Sequence, residues 1–169
     1  MWKAIAADIS LVGSGIQAGA LLMFLYGVCP TLQSESIPDW IRIHVSLDRS
    51  IERYMPSLNL TTSAASLALV FMAQPAEARW FRIAGLAANV SLAIISEAVN
   101  VPLNKQIAGR LDALVGARTE GSGPMAGTLG FESMAATRER WVTWHRWRTF
   151  VITAGFLCYA IGLTLDSCL

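Results

Sequence analysis

Hydrophobic positions along this chain run together instead of alternating with polar ones, as the helices of a water-soluble domain would require. Residues 147–165 hold a single charge, Arg148, at the edge of the run. Three other stretches, about 9–28, 57–74 and 80–100, read the same way. A hydrocarbon core of about 30 Å takes roughly 20 helical residues at about 1.5 Å each. The pattern predicts four membrane-crossing helices, hence an all-α integral membrane four-helix bundle with residues 1–169 as one membrane domain. The second run is the shortest and carries Thr61, Thr62, Ser63 and Ser66.

The segments between the runs carry their own periodicity. In 29–55, Trp40, Ile41, Ile43, Val45, Leu47 and Ile51 interleave with Arg42, His44, Asp48, Arg49, Glu52 and Arg53. Ile43, Leu47 and Ile51 recur every four residues, which predicts a helix lying at the interface or capping the bundle, begun at Pro38-Asp39. Gln74-Pro75 makes a short break, so the second and third runs are antiparallel neighbours. After the third, Ile107, Leu111, Leu114 and Val115 keep a helical spacing, and residues 131–141 read as helix leading into the fourth. The third and fourth spans thus form a long helical hairpin that projects beyond the membrane into the cytoplasm, with a flexible stretch at 120–130.

Composition supports this picture: 54% hydrophobic and 15% charged residues, with a mean hydropathy of +0.47. The net charge of +1 gives no reason to expect a nucleic-acid partner. The first run is long for the apolar part of a signal peptide, and Cys29-Pro30 follows it where a small-x-small cleavage site would stand. Cys29, Cys158 and Cys168 have no metal-ligand spacing and read as free thiols. Lys3, Arg79 and Arg82 fall on one side of a four-span topology and the other ten basic residues on the opposite side. The positive-inside bias therefore predicts that loops 29–55 and 101–146 are cytoplasmic.

With four spans, the end of the first, the start of the second, the end of the third and the start of the fourth share one membrane face. Tyr26, Asn59, Thr61 and Thr62 lie near it. Glu97, Asn100 and Asn104 are three and four apart and form one helical stripe, interrupted by Pro102, where a kink is expected. Trp141, His145 and Arg148 are four and three apart and form a second stripe that can face the first, with Trp144 beside it. Singly, each has a structural explanation: an aromatic belt, a snorkelling cation, interhelical carboxamide bonds. Together at one depth, with Glu97 about a turn inside the bilayer, they mark a candidate site.

The segments Val99-Asn100-Val101-Pro102-Leu103-Asn104 and Arg140-Trp141-Val142-Thr143-Trp144-His145-Arg146-Trp147-Arg148 resemble those of the anthrone oxygenase family, small four-span membrane proteins. The resemblance implies a monooxygenase of aromatic polyketide biosynthesis that converts an anthrone to the anthraquinone with dioxygen. It carries over to Asn100, Asn104, Trp141, His145 and Arg148. It also implies O2 as co-substrate with no flavin or haem, of which the chain shows no motif.

A mechanism follows from these residue types. An anthrone has an acidic methylene, and its anion can pass an electron directly to O2. His145 or Glu97 would be the base, Arg148 with Asn100 or Asn104 would stabilise the oxyanion, and Trp141, Trp144 and Tyr26 would hold a flat apolar substrate arriving from the lipid. Two alternatives remain open. His44, His145 and Glu97 could ligate iron or copper, or the stripes could be helix glue in a non-enzymatic membrane protein. A homo-oligomer is compatible with so small a bundle.

Overall fold

The computed structural model describes residues 1–119 and 128–167, with side chains described for 1–113 and 133–167. Among the described residues every regular element is helical. The helices are α1 (Trp2–Met23), α2 (Cys29–Ser34), α3 (Ile37–Ile51), α4 (Met55–Phe71), α5 (Ala76–Ile95), α6 (Val101–Thr119) and α7 (Thr128–Ser167). Two π-helical turns join them: Phe24–Val28 between α1 and α2, and Ser96–Asn100 between α5 and α6.

The π turns have a common cause. Pro30 and Pro102 each stand two residues beyond one of them. A proline offers no N–H to the carbonyl four residues back, and its ring presses on that carbonyl. Widening the preceding turn by one residue accommodates the ring while the backbone stays helical on both sides. The kink expected at Pro102 is taken up in this way.

Three rods, Trp2–Ser34, Ala76–Ala113 and Ser133–Ser167, are long and apolar enough to cross a membrane. They fit an integral membrane protein. The fourth predicted span corresponds to α4, an apolar helix of 17 residues, about 25 Å at about 1.5 Å per residue. The segments 29–55 and 101–146 are largely helical rather than loops. Of the stretch predicted to be flexible, residues 120–127 lie outside the described residues, and 128–130 open α7.

Around the bundle, α1 lies between α4 and α7, and α5 completes the ring between the same two. Apolar side chains face outward, among them Val12, Ile16, Leu60, Leu67, Trp80, Ile94, Phe150 and Leu157. Polar ones are buried: Ser10, Gln17, Thr62, Ser66 and Asn89. Within this middle layer the Asn59 amide donates to Gln17 Oε1 (3.0 Å) and to the Asn89 carbonyl (3.2 Å), and Asn89 donates to Ser63 (3.3 Å). Such bonds hold helices together where lipid supplies no hydrophobic drive. Small residues bring the backbones close. A Cβ at Gly13 would come within 2.1 Å of Thr62 Oγ1, and one at Gly85 within 2.6 Å of the Tyr159 ring.

At the end of the bundle where α5 starts and α7 finishes, Arg82 donates to Asp166 (2.9 Å) and to Gln74 Oε1, and Lys3 also reaches Asp166 (2.7 Å). At the other end, α3 packs mainly on α6. Ser36 caps α3, its Oγ accepting from the Asp39 N–H at 3.3 Å, with Pro38 in the first turn. Its inward face is Trp40, Ile41, His44 and Val45. The predicted stripe is rotated from this face: Ile43 is exposed and Leu47 and Ile51 sit at its edge. Periodicity located the helix, but two large buried residues, Trp40 and His44, set which side turns in.

Candidate active site

α7 supplies the centre of the site. Its two-turn stripe places Trp141, His145 and Arg148 on the face toward α1 and the second π turn, and His145 is 2% exposed. The His145 ring stacks on Trp141, with centroids 5.2 Å apart and an interplanar angle of 17°. Phe24, from the first π turn, packs against both rings, 5.2 Å from His145 and 5.7 Å from Trp141. Both π turns therefore aim side chains at the same part of α7, a use to which such turns are often put.

Hydrogen-bond partners assign the His145 tautomer by elimination. Arg148 Nη2 lies 3.0 Å from His145 Nδ1, and an arginine can only donate, so Nδ1 accepts. Nε2 lies 3.2 Å from the Leu21 carbonyl, which can only accept, so Nε2 carries the proton. His145 is then a neutral ring with both nitrogens engaged. Arg148 Nη1 also donates to Ser96 Oγ at 3.3 Å. Among the described residues no carboxylate lies within ion-pair distance of Arg148, and its buried Nε has no partner. The guanidinium is held by neutral groups alone.

A second network sits beside the first. Trp141 Nε1–H donates to Asn104 Oδ1 at 3.1 Å. His44 Nε2 lies 3.3 Å from that same oxygen and must therefore carry the proton. The Asn104 amide donates to Asp48 Oδ1 at 2.5 Å, which fixes the orientation of the carboxamide. The His44 ring meets Trp141 edge-on at 4.8 Å and lies 5.4 Å from Trp40. Its remaining nitrogen, Nδ1, is buried with no partner. Burial lowers the His44 pKa from the usual 6.5 to about 4; the Asn104 bond opposes this and the Arg148 charge adds to it. Burial also raises Asp48 from 3.8 to about 6, helped by the Glu52 charge and resisted by Arg148 and by the Asn104 bond.

Between the two networks lies Asn100, 1% exposed, with neither Nδ2 nor Oδ1 bonded. Register places it. Ser96 meets Arg148 and Asn104 meets Trp141, so on the antiparallel α7 the level of Asn100 is that of Trp144 and His145. An unpaired buried carboxamide costs about 1–3 kcal/mol for each unmet group, which folding has no reason to retain unless something else bonds it.

The structure brings Asn100, Asn104, Trp141, His145 and Arg148 into one nest, with Trp144 half-buried against it. Two predicted members are not in it. Glu97 is exposed, because the π turn rotates it away while turning Ser96 and Asn100 inward; it is Ser96 that meets Arg148. Tyr26 is 76% exposed and lies on a groove of about 580 Å³ between the first π turn with α2 and α7. Cys29, Val142 and Thr149, all buried, form the floor of this groove. The ligand set His44, His145 and Glu97 is not assembled, since Glu97 points outward and both His145 nitrogens are engaged. Asp48 and Ser96 were not anticipated. Asp48 lies one turn from His44 on α3, a spacing that could have paired them.

A helical bundle of membrane-crossing length, polar inside and apolar outside, with a cation held by neutral acceptors, fits a membrane protein with a polar internal site. The family described as anthrone oxygenase matches residues 44–158, which include both stripes. The chain belongs to the anthrone oxygenase family. No curated protein and no solved structure was found to match it.

Proposed function

We propose that the protein is a monooxygenase that converts an anthrone-type aromatic polyketide to the anthraquinone with dioxygen. The observation that carries this reading is Arg148, a half-buried cation with a buried Nε and no carboxylate within ion-pair distance, on the helix face toward the turn that holds the unpartnered Asn100 carboxamide. A ketone that becomes an enolate oxygen on deprotonation supplies the missing negative charge, and Asn100 Nδ2 a second donor to it. Such donors stabilise the anion more than the neutral ketone, which is what lowers the barrier. His145, neutral and fixed by the Leu21 carbonyl, holds Arg148 in place. Trp141 offers an aromatic face for flat rings.

The chemistry balances with O2 alone. Removal of a methylene proton leaves its electron pair on the anthrolate. The anion passes one electron to O2, and the two radicals join in a C–O bond. After the peroxide takes a proton, loss of the second methylene hydrogen and cleavage of O–O form the new carbonyl and release water. In this reading α4 is a fourth, short span, the segments 29–55 and 101–146 face the cytoplasm, and an apolar substrate reaches the nest from the lipid through the groove beside Cys29 and Thr149.

The test is oxygen uptake by the purified protein in detergent after addition of a simple anthrone at mildly acidic pH, against a heat-treated control for autoxidation. With ¹⁸O₂, one labelled atom is expected in each quinone and one in water. Uptake no faster than the heat-treated control would overturn the proposal.

A further inference from the structure

We propose that His44, on α3, is the general base that removes the methylene proton, and that His145 is instead a positioning residue for Arg148. The inference rests on the oxygenase reading and names the proton acceptor in it.

Only one of the two histidines has a lone pair to offer. His145 Nδ1 is taken by Arg148, and its Nε2 holds a proton bonded to a backbone carbonyl. To act as a base His145 would have to release the guanidinium that stabilises the product anion. His44 is arranged the other way. Its Nε2–H is anchored on Asn104, and its Nδ1 lone pair is buried and unpartnered. A buried basic nitrogen with no hydrogen-bond donor is uncommon in a folded protein, and it suits a ligand that brings its own proton.

The surroundings fit the transfer. Trp40 and Trp141 hold the ring on two sides. Asn104 is fixed by Asp48, so the Nε2–H anchor cannot flip to present an amide proton. Trp141 is shared by both histidines, ring-stacked on one and edge-on to the other. In the step, the C–H bond breaks, its proton forms an N–H bond at Nδ1, and the electron pair stays on the anthrolate. The imidazolium so formed keeps its Nε2–H on Asn104, one bond removed from the Asp48 carboxylate. That proton goes on to the peroxide oxygen, and the second methylene proton, taken at the same nitrogen, goes to the hydroxide expelled on O–O cleavage, which leaves as water.

Proton removal can be read without turnover. The full-length protein in detergent, under argon in D2O, is given anthrone, and loss of the methylene ¹H signal is followed against a protein-free control. Wild-type protein is expected to accelerate exchange. His44→Gln keeps a donor near the Nε2 position and lacks the basic nitrogen; exchange should fall roughly a hundredfold or more, in line with loss of a general base. In His44→Ala, added imidazole should restore exchange at least about tenfold. Melting temperature and elution volume identify folded variants, and either variant alone suffices. Exchange at the wild-type rate in folded His44→Gln or His44→Ala overturns the assignment, as does loss of exchange in Asp48→Asn with none in His44→Gln. If the wild-type protein neither exchanges nor consumes oxygen, the oxygenase reading falls and the base with it. If it consumes oxygen while His44→Gln exchanges normally, the base assignment alone falls.

Discussion

Arg82 and Arg148 look alike in the sequence, each a lone cation near the end of an apolar run, and the structure uses them in opposite ways. Arg82, with a side chain 2% exposed, donates to Asp166, which Lys3 also reaches, and to Gln74. Its charge is answered within the protein. Arg148 is answered by a neutral imidazole and a hydroxyl, and an unbonded carboxamide lies on the turn that faces it. Taking a cation out of water costs several kcal/mol, which only an opposing charge or dense hydrogen bonding offsets. One end of the bundle is thus complete in itself, while the other leaves a cation without a counter-charge and a carboxamide without a partner among the described residues. In the proposed function that difference makes Arg82 structural and Arg148 the cation for the substrate anion.

The largest effects should come from exchanging the two roles. Arg148→Met is expected to lower kcat/KM by roughly 10²- to 10³-fold, as for loss of an oxyanion donor, with the melting temperature unchanged or raised. Arg82→Met should do the reverse: a loss of about 3 kcal/mol in stability, since Asp166 is left without its buried partner, and full activity per folded molecule. Similar stability losses in both variants would dissolve the comparison. Next in size is Asn100→Leu. It should reduce activity about tenfold or more while stabilising the ligand-free protein by about 1 kcal/mol, because a buried group without partners is removed; thermal unfolding and oxygen uptake give the two readings.

A smaller effect is expected from Asp48. Its pKa is about 6 in the fold against 3.8 unfolded, so between about pH 4 and 6 the folded chain binds the proton more tightly. Stability contributed by this group is present at low pH and lost as pH rises through that window. Asp48→Asn should flatten the slope of melting temperature against pH there. The smallest effect belongs to Glu97→Gln: less than about twofold in activity, as expected of an exposed side chain that touches no member of the nest. A large loss would return Glu97 to the chemistry.

Much of the bundle was legible in the sequence because apolar runs of membrane length have few other uses. The two stripes were legible because helical spacing puts i, i+3 and i+4 on one side. Three things were not. Glu97 obeys the spacing of Asn100, yet a π turn between Ser96 and Asn100 breaks the 3.6-residue period on which that argument rests. The inner face of α3 was misjudged because an aliphatic stripe was weighed above Trp40 and His44. The Gln17–Asn59–Asn89 layer went unseen because its members stand singly on three different helices, so no spacing within one helix pairs them.

Each π turn amounts to one additional residue in an otherwise ordinary helix, and about 100° of rotation travels with every residue. Shortening the chain by one position at Ala98 would leave composition, length and affinity for a bilayer almost untouched. It would nonetheless remove the wide turn that sets Ser96 beside Arg148 and turns Asn100 inward. The protein could insert, fold and persist while its working parts faced the wrong way, a fault that no measure of greasiness would detect.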